Sequence, residues 1–529
     1  MTGVAILLVA ATLAFAASRA LRLPLLPLLL LAGIILRYSG LALSEEIARS
    51  SLEMGLAILV FGAGMELNPK RFGGQYRRVL GMGLAQFLVI GTGGALLCRI
   101  LGLDWISALY VGLAVTTSST LIVVRLLKAR QQMFEPFGRV VTGVLLVQDL
   151  IIVLLIVLLI RLPDGPTAMA AGLGGLALLI ALVWAGLRWV MPYLVFRLNL
   201  DQESLGLAIM AVLFIFMWIA YALNLPIITG AFLAGVSLSA FPINSVARGL
   251  ISSVTIFFIA LFFVILGGII DVASLHVWLL AGVLSAFIIL VTPVIVTVVG
   301  ERLGLTARAA IESGLLLAQT SEFSLVVVLL GMMTGQIPPA VFNTVALATV
   351  LTMTVTPLIA TDRLTWRLMR IHPRTTPRDL PDSLPQRDHV VLIGYGRGGE
   401  IIVKALLNAG REIVVIDYDP VTVRKLNEQG IRALHGEGSD RRLLEQVHAR
   451  EASAVISSMR RVADTEAMIR HLGPDGPLII TRIFEPGDAE RIRRLGGIPV
   501  LSSEAAADAF LRWYQYMFGG ADAGGGGRQ

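Results

Sequence analysis

The chain has 529 residues, of which 56% are hydrophobic and 15% charged, with a formal net charge of +7. Soluble proteins carry about 25% charged residues, so this deficit excludes an ordinary soluble protein over most of the length and points to an integral membrane protein. The surplus of Lys and Arg reads as basic loops beside a membrane rather than as a nucleic-acid surface, and no nucleic-acid partner is expected.

The N-terminal MTGVAILLVAATLAFAASRA imitates a secretion signal. It lacks basic residues ahead of its apolar run and a second run follows at once, so it is expected to stay as the first helix. Apolar runs of helical length lie at 3–18, 24–38, 50–67, 79–99, 105–127, 138–161, 168–190, 204–223, 226–241, 249–270, 275–300, 309–333 and 339–361, the second and ninth being short. That makes about thirteen spans. The single cysteine, Cys98, lies inside one of them, and the chain can form no internal disulfide and no cysteine zinc site. Basic residues follow the odd-numbered runs: Arg19 and Arg22, then Lys70, Arg71, Arg77 and Arg78, then Lys128, Arg130 and Arg139, then Arg197, Arg248, Arg302 and Arg308. Basic loops stay in the cytoplasm, so the N-terminus is expected outside and the C-terminal region inside.

Two runs are interrupted by polar residues, the fifth by VTTSST (115–120) and the twelfth by AQTSEF (318–323). If runs one to six and eight to thirteen are repeats, these two correspond. Matched broken helices in two halves mark a transporter site at mid-membrane, where helix ends and unwound backbone can hold an ion. The sixth run, VTGVLLVQDLIIVLLIVLLIRLPDG from Val141, carries Gln148 and Asp149 in an otherwise apolar stretch. A carboxylate at mid-bilayer costs roughly 2.5–3.5 kcal/mol on insertion scales, which makes it a functional candidate. Asp149 can take a proton or a monovalent cation. Competition between them, at a site that opens to alternate sides, is cation/proton exchange. The candidate ion-binding residues are Asp149, Gln148, Ser118, Ser119, Thr120 and Glu322, with Asp149 the ligand to the metal cation. The eleventh run has no ionisable residue between Val277 and Gly300. One carboxylate then moves one charge each way, and the exchange is expected to be electroneutral. Glu322 stays open between a second ligand and the partner of an Arg. Glu66 is read as neutralising its basic neighbours.

HVVLIGYGRGGEIIVKALLNAGREIVVIDYDP begins at His389. A strand at 390–393 leads into Gly394-x-Gly396-x-x-Gly399, then a helix, a strand at 413–416, and Asp417 standing 23 residues after Gly394. In that order these elements are a dinucleotide-binding fingerprint. The glycines let the backbone approach phosphate, and the helix N-terminus stabilises its charge. Asp417 can accept from ribose hydroxyls and disfavours a 2′-phosphate. Further strands are expected at 432–435, 453–457, 478–482 and 499–501. No substrate domain or acid/base pair accompanies the fingerprint, so the nucleotide is expected to be sensed rather than consumed, and no enzyme is expected. HPRTTPRDLPDSLPQRD from His372 reads as a stiff linker. The expected layout is a membrane domain over 1–370, a linker over 371–386, a nucleotide-binding domain over 387–518 and a disordered tail over 519–529.

The stretches SSTLIVVRLLK, LLVQDL, GAFLAGVSLS, LLLAQTSEFSLVV and LIGYGRGGEIIVKAL…VVIDYDP resemble the Kef-type potassium/proton antiporters of the cation:proton antiporter superfamily, with a C-terminal RCK/KTN (TrkA-N-like) domain. The resemblance implies an α-helical polytopic membrane domain with inverted repeats and two interrupted crossing helices, plus an α/β Rossmann-like RCK domain. It implies a homodimer, with a dimerisation scaffold and a mobile core, embedded in the lipid of a bacterial inner membrane. It implies K+ as the transported ion at Gln148–Asp149. AMP or NAD(H) would be the regulatory adenine nucleotide, on Gly394, Gly396, Arg397, Gly399, Asp417 and Glu437. A sodium/proton antiporter of the same fold and a nucleotide-gated cation channel are the alternatives. The chain departs from its relatives in reading Thr320-Ser321-Glu322-Phe323 for G-G-E-F, and Gly436-Glu437 for G-D after the third soluble strand. Some family members are controlled by glutathione; glutathione or an ancillary regulatory protein as a partner is left open here.

Overall fold

The computed structural model describes all residues except Met1, Arg22, 41–44, 67–74, Gln131, Phe134, Glu135, 191–201, 240–244, 373–386 and 519–529. Arg22, Lys70, Arg71 and Arg197, most of the expected linker and the expected disordered tail therefore lie outside the described residues. The chain divides into two compact units, one of Met1–Leu303 with Ala309–Ile371 and one of Gly304–Arg308 with His372–Gln529.

The first unit is helical. Its elements are α1 (Thr2–Leu21), α2 (Leu25–Tyr38), α3 (Glu45–Glu66), α4 (Tyr76–Ile100), α5 (Trp105–Ala114), α6 (Thr120–Ala129), α7 (Pro136–Ile160) and α8 (Pro166–Ala185). They continue with α9 (Gln202–Ala222), α10 (Ile227–Ser239), α11 (Ser245–Ile269), α12 (Leu275–Arg302), α13 (Ala307–Leu317), α14 (Glu322–Met333), α15 (Pro339–Ile359) and α16 (Asp362–Ile371). Each predicted run coincides with a helix or with a pair of helices on either side of a break. Among the described residues, seven helices are long and apolar enough to cross a membrane. Leu88, Ile100, Trp218 and Leu290 are exposed on them. Apolar surface of that extent suits lipid and not water.

Packing sorts these helices into two bundles. In one, α4, α5, α6, α7, α12, α14 and α15 contact one another; in the other, α1, α2, α3, α8, α9, α10 and α11 do. The second bundle is held by two glycine seams. A methyl group on Gly33 of α2 would collide with the Val264 carbonyl of α11, and one on Gly267 with the Leu30 carbonyl of α2. Likewise Gly64 of α3 lies against the Phe232 carbonyl of α10, and Gly235 against the Phe61 carbonyl of α3. The second and third spans thus pair with the tenth and ninth. Exchanging the two halves of the chain maps one seam onto the other, which is the pattern of internal repeats.

In the second unit, six strands alternate with helices: β1 (Val390–Ile393), α17 (Gly396–Asn408), β2 (Ile413–Asp417), α18 (Pro420–Glu428), β3 (Arg432–His435), α19 (Arg441–Gln446), β4 (Ala454–Ser457), α20 (Val462–Leu472), β5 (Leu478–Ile483), α21 (Ala489–Arg494), β6 (Ile498–Leu501) and α22 (Ser502–Phe518). All five pairings are parallel. The strand order is β3-β2-β1-β4-β5-β6. β1 and β2 are buried along their whole length, which is why they read as unbroken apolar runs. The order reverses between β1 and β4, so the ligand crevice of such a sheet opens at the carboxyl end of β1.

Candidate ion-binding crossing and nucleotide crevice

The broken helices of the first unit meet at their breaks. α5 ends at Ala114 and α6 restarts at Thr120; α13 ends at Leu317 and α14 restarts at Glu322. Ser119 accepts from Ile122 N at 3.4 Å and so caps α6. Ser321 and Ser324 form a capping box on α14. The two breaks are bonded to each other. Ser118 Oγ donates to the Leu317 carbonyl at 2.8 Å, and Ser324 Oγ donates to the Ala114 carbonyl. Thr117 Oγ1 and Ser324 Oγ are 3.4 Å apart. Serine and threonine here serve carbonyls that the helix ends leave without partners.

α7 brings the acid to this crossing. Thr120 Oγ1 donates to Asp149 Oδ2 at 2.9 Å, and Gln148 Oε1 accepts from Ser118 N at 3.2 Å. Asp149 is 2% exposed and Glu322 4%. Glu322 lies against Ser119 and Ser321 and within electrostatic reach of Asp149. Among the described residues no Lys or Arg makes an ion pair with either carboxylate. One oxygen of each, Asp149 Oδ1 and Glu322 Oε2, is buried without a hydrogen-bond partner. Buried oxygens left without donors are costly, and a proton or a cation would meet the need. No group of His, Cys, Asp and Glu suited to a multivalent metal occurs among the described residues. The donor set is one of hydroxyl, amide and carboxyl oxygens, the ligands of a hard cation.

Sequence reading did not single out two further parts of this crossing. Thr320 Oγ1 donates to Thr349 Oγ1 of α15 at 3.0 Å and lies 3.1 Å from Thr352 Oγ1; Thr356 Oγ1 donates to the Ala318 carbonyl at 2.8 Å. The i, i+3, i+7 spacing of Thr349, Thr352 and Thr356 puts them on one helical face and was the available signal. The other is Gln86 of α4, a lone amide in an apolar run, whose Nε2 donates to Ser118 Oγ at 3.3 Å.

In the second unit, Gly394 has φ +81°, and a side chain there would press on Ser458 Oγ. α17 starts at Gly396, and no side chain caps its N-terminus among the described residues. Its first N–H groups are thus set to receive an anion. Gly399 lies in the first turn; the Arg397 side chain lies outside the described residues. Asp417 ends β2 and is 5% exposed. Its Oδ2 accepts from Tyr395 N at 2.7 Å and its Oδ1 from Asp419 N at 2.8 Å. Burial pushes its pKa above the ordinary 3.8, while the Asp419 and Tyr395 amides pull it down. Each oxygen has lone-pair capacity left for a ribose hydroxyl. Gly436 N donates to the Asp417 carbonyl at 3.0 Å, which brings Glu437 to the same end of the sheet.

Comparison with known proteins agrees with both halves. Residues 4–365 match the family described as sodium/hydrogen exchanger, transmembrane, and residues 390–503 match the TrkA-N domain. The glutathione-regulated potassium-efflux system protein KefC of Salmonella schwarzengrund is 30% identical over 449 residues, which are 81% of this chain and 70% of that protein. The same-named protein of Salmonella typhi matches at 30% identity over the same shares. The sodium proton antiporter MjNhaP1 of Methanocaldococcus jannaschii shares the fold, with a TM-score of 0.55 and 14% identity over 70% of this chain and 99% of that one. Fold and matches define a multi-pass transporter of the cation:proton antiporter class, not an enzyme. The chain belongs to the sodium/hydrogen exchanger family, in its Kef-type branch with a C-terminal TrkA-N domain.

Proposed function

We propose that this protein is a potassium/proton antiporter of the bacterial inner membrane, working by alternating access around Asp149. The proton leaves Asp149 as the cation enters, so one positive charge moves each way and the exchange is electroneutral. Thr120 orients the carboxylate, Gln148, Ser118 and Ser119 complete the polar wall, and Glu322 adds a second carboxyl oxygen. Residues 1–370 form the transporting domain and 387–518 the regulatory one, on the cytoplasmic side. An adenine nucleotide, AMP or NAD(H), binds with its phosphate at Gly394, Gly396, Arg397 and Gly399, its ribose at Asp417, and Glu437 beside it. It sets how freely the membrane domain cycles. The protein acts as a homodimer.

The observation that carries this reading is the unmet Asp149 Oδ1 at the meeting point of two broken helices. Potassium is put first because the Kef-type relatives are potassium-efflux proteins by name. The test is proton movement in proteoliposomes under an imposed potassium gradient, with the membrane voltage clamped at several values. Exchange independent of voltage, absent in Asp149→Asn, is expected. Undiminished exchange in that variant would end the proposal, and single-channel currents would replace it with a channel.

A further inference from the structure

Ser118 is a hub. Its N–H goes to Gln148 of α7, its hydroxyl to the last carbonyl of α13, and its Oγ receives Gln86 Nε2 from α4. Gln86 is 2% exposed, on an unbroken helix. Its Oε1 is buried with no hydrogen-bond partner. So are Gln319 Oε1, Asp149 Oδ1 and Glu322 Oε2, and the only glutamine nitrogen in the same state is Gln148 Nε2 among the described residues. Four side chains on the elements that meet at the crossing thus each leave one oxygen without a donor, and two of the four are electrically neutral. A carbonyl oxygen that replaces a water of hydration costs a large, weakly hydrated cation less than a small one. Preference among monovalent ions depends on how many such dipoles surround the ion and how strong their field is.

We propose that Gln86 is a specificity-determining residue of the cation site. Its amide oxygen takes the place of one water on the incoming ion, while its nitrogen, anchored on Ser118, holds that oxygen in place. The site thereby favours weakly hydrated monovalent cations such as K+ and Rb+ over Na+. This rests on the exchange proposed above and adds a determinant of selectivity to it.

The experiment uses the full chain in proteoliposomes, with apparent KM and maximal rate measured separately for K+, Rb+ and Na+. Gln86→Leu is expected to raise the apparent KM for K+ and Rb+ about tenfold and to change that for Na+ much less. Gln86→Glu keeps the size, gives up the N–H that Ser118 Oγ accepts, raises the field at the oxygen and is expected to move the preference toward Na+. If the leucine variant does not fold, the glutamate variant carries the test. A loss of maximal rate common to all three ions, with their KM ratios unchanged, is what a packing role would give, and it overturns the inference. A wild-type protein with no Asp149-dependent exchange would instead sink the antiport reading itself.

Discussion

The two breaks at the crossing use the same kinds of residue and finish them differently. At 318–321 Thr320 is bonded by hydroxyls of α15 that are themselves spent on their own helix, Thr349 Oγ1 donating to Val345 O and Thr352 Oγ1 to Ala348 O, both at 2.8 Å, while Gln319 Oε1 keeps no partner. At 115–119 the ties run instead to the long amides Gln86 and Gln148, and at Thr120 to Asp149. Those three side chains each keep a buried atom without a partner. Short hydroxyls closed on a helix make a fixture; long amides with unmet atoms would serve, on the exchange proposed above, as the ligand set that an arriving ion rearranges. Of two related interruptions, one is braced at Thr320 and the other is tied through long side chains that keep unmet atoms.

Substitutions can break that contrast. The largest effect after loss of Asp149 is expected at Glu322, which starts α14 but keeps an unmet oxygen. Glu322→Gln retains one acceptor, so exchange should continue with an apparent cation KM about tenfold higher. Complete loss of exchange, measured as proton flux, would make the braced side as essential to the chemistry as the other. Next comes the brace itself. Thr352→Val removes the acceptor of the Thr320 N–H bond, 3.3 Å long. It should lower stability by about 1–2 kcal/mol, read as a lower thermal midpoint in detergent, with cation KM unchanged. A raised KM at unchanged stability would reverse the assignment of fixture and ligand set.

The smallest effect is expected at Asp417, whose two oxygens already hold backbone amides. Its pKa lies above the ordinary 3.8 because it is buried. Ribose hydroxyls donate best to the ionised form, so nucleotide affinity should rise with pH through that raised value. The fold's own gain from the Asp417 proton runs the opposite way, being fully present below 3.8 and lost as pH climbs through the raised value. Asp417→Ala should weaken adenine-nucleotide binding to the full chain by a few-fold, about 1 kcal/mol, and flatten this dependence in calorimetric titrations. A pH dependence that survives the substitution would take Asp417 away from the ribose.

Much of this was legible in the sequence. VTTSST and AQTSEF marked both breaks because apolar spans carry few reasons for clustered hydroxyls, and the observed breaks at 115–119 and 318–321 fall within them. The predicted soluble strands lie within one residue of β3, β4, β5 and β6. Strand, glycines, helix and terminal acid are local in the chain, so one stretch of sequence contains the whole nucleotide fingerprint. Gln86 and the threonines of α15 were missed for the opposite reason. Gln86 reaches Ser118 across 32 residues, and Thr349 reaches Thr320 across 29. A single polar residue in an apolar helix looks the same whether it bonds its own backbone or a distant loop, and only tertiary contact separates the two. The repeat had been placed by position alone; the paired glycine seams give it a packing basis.

Those seams also decide where the molecule can give way. Backbone carbonyls fill the space a methyl would need at Gly33, Gly64, Gly235 and Gly267, so α2 with α11 and α3 with α10 are clamped as fixed pairs. The bundle that carries the acid meets its neighbour mainly where α7 touches α8 and α10, and where α15 touches α2. If the protein works by the alternating access proposed above, sliding along that thinner border is the route by which the crossing would open first to one side and then to the other. A side chain grown larger along that border should slow turnover by friction, whereas one grown at a seam should prevent assembly outright.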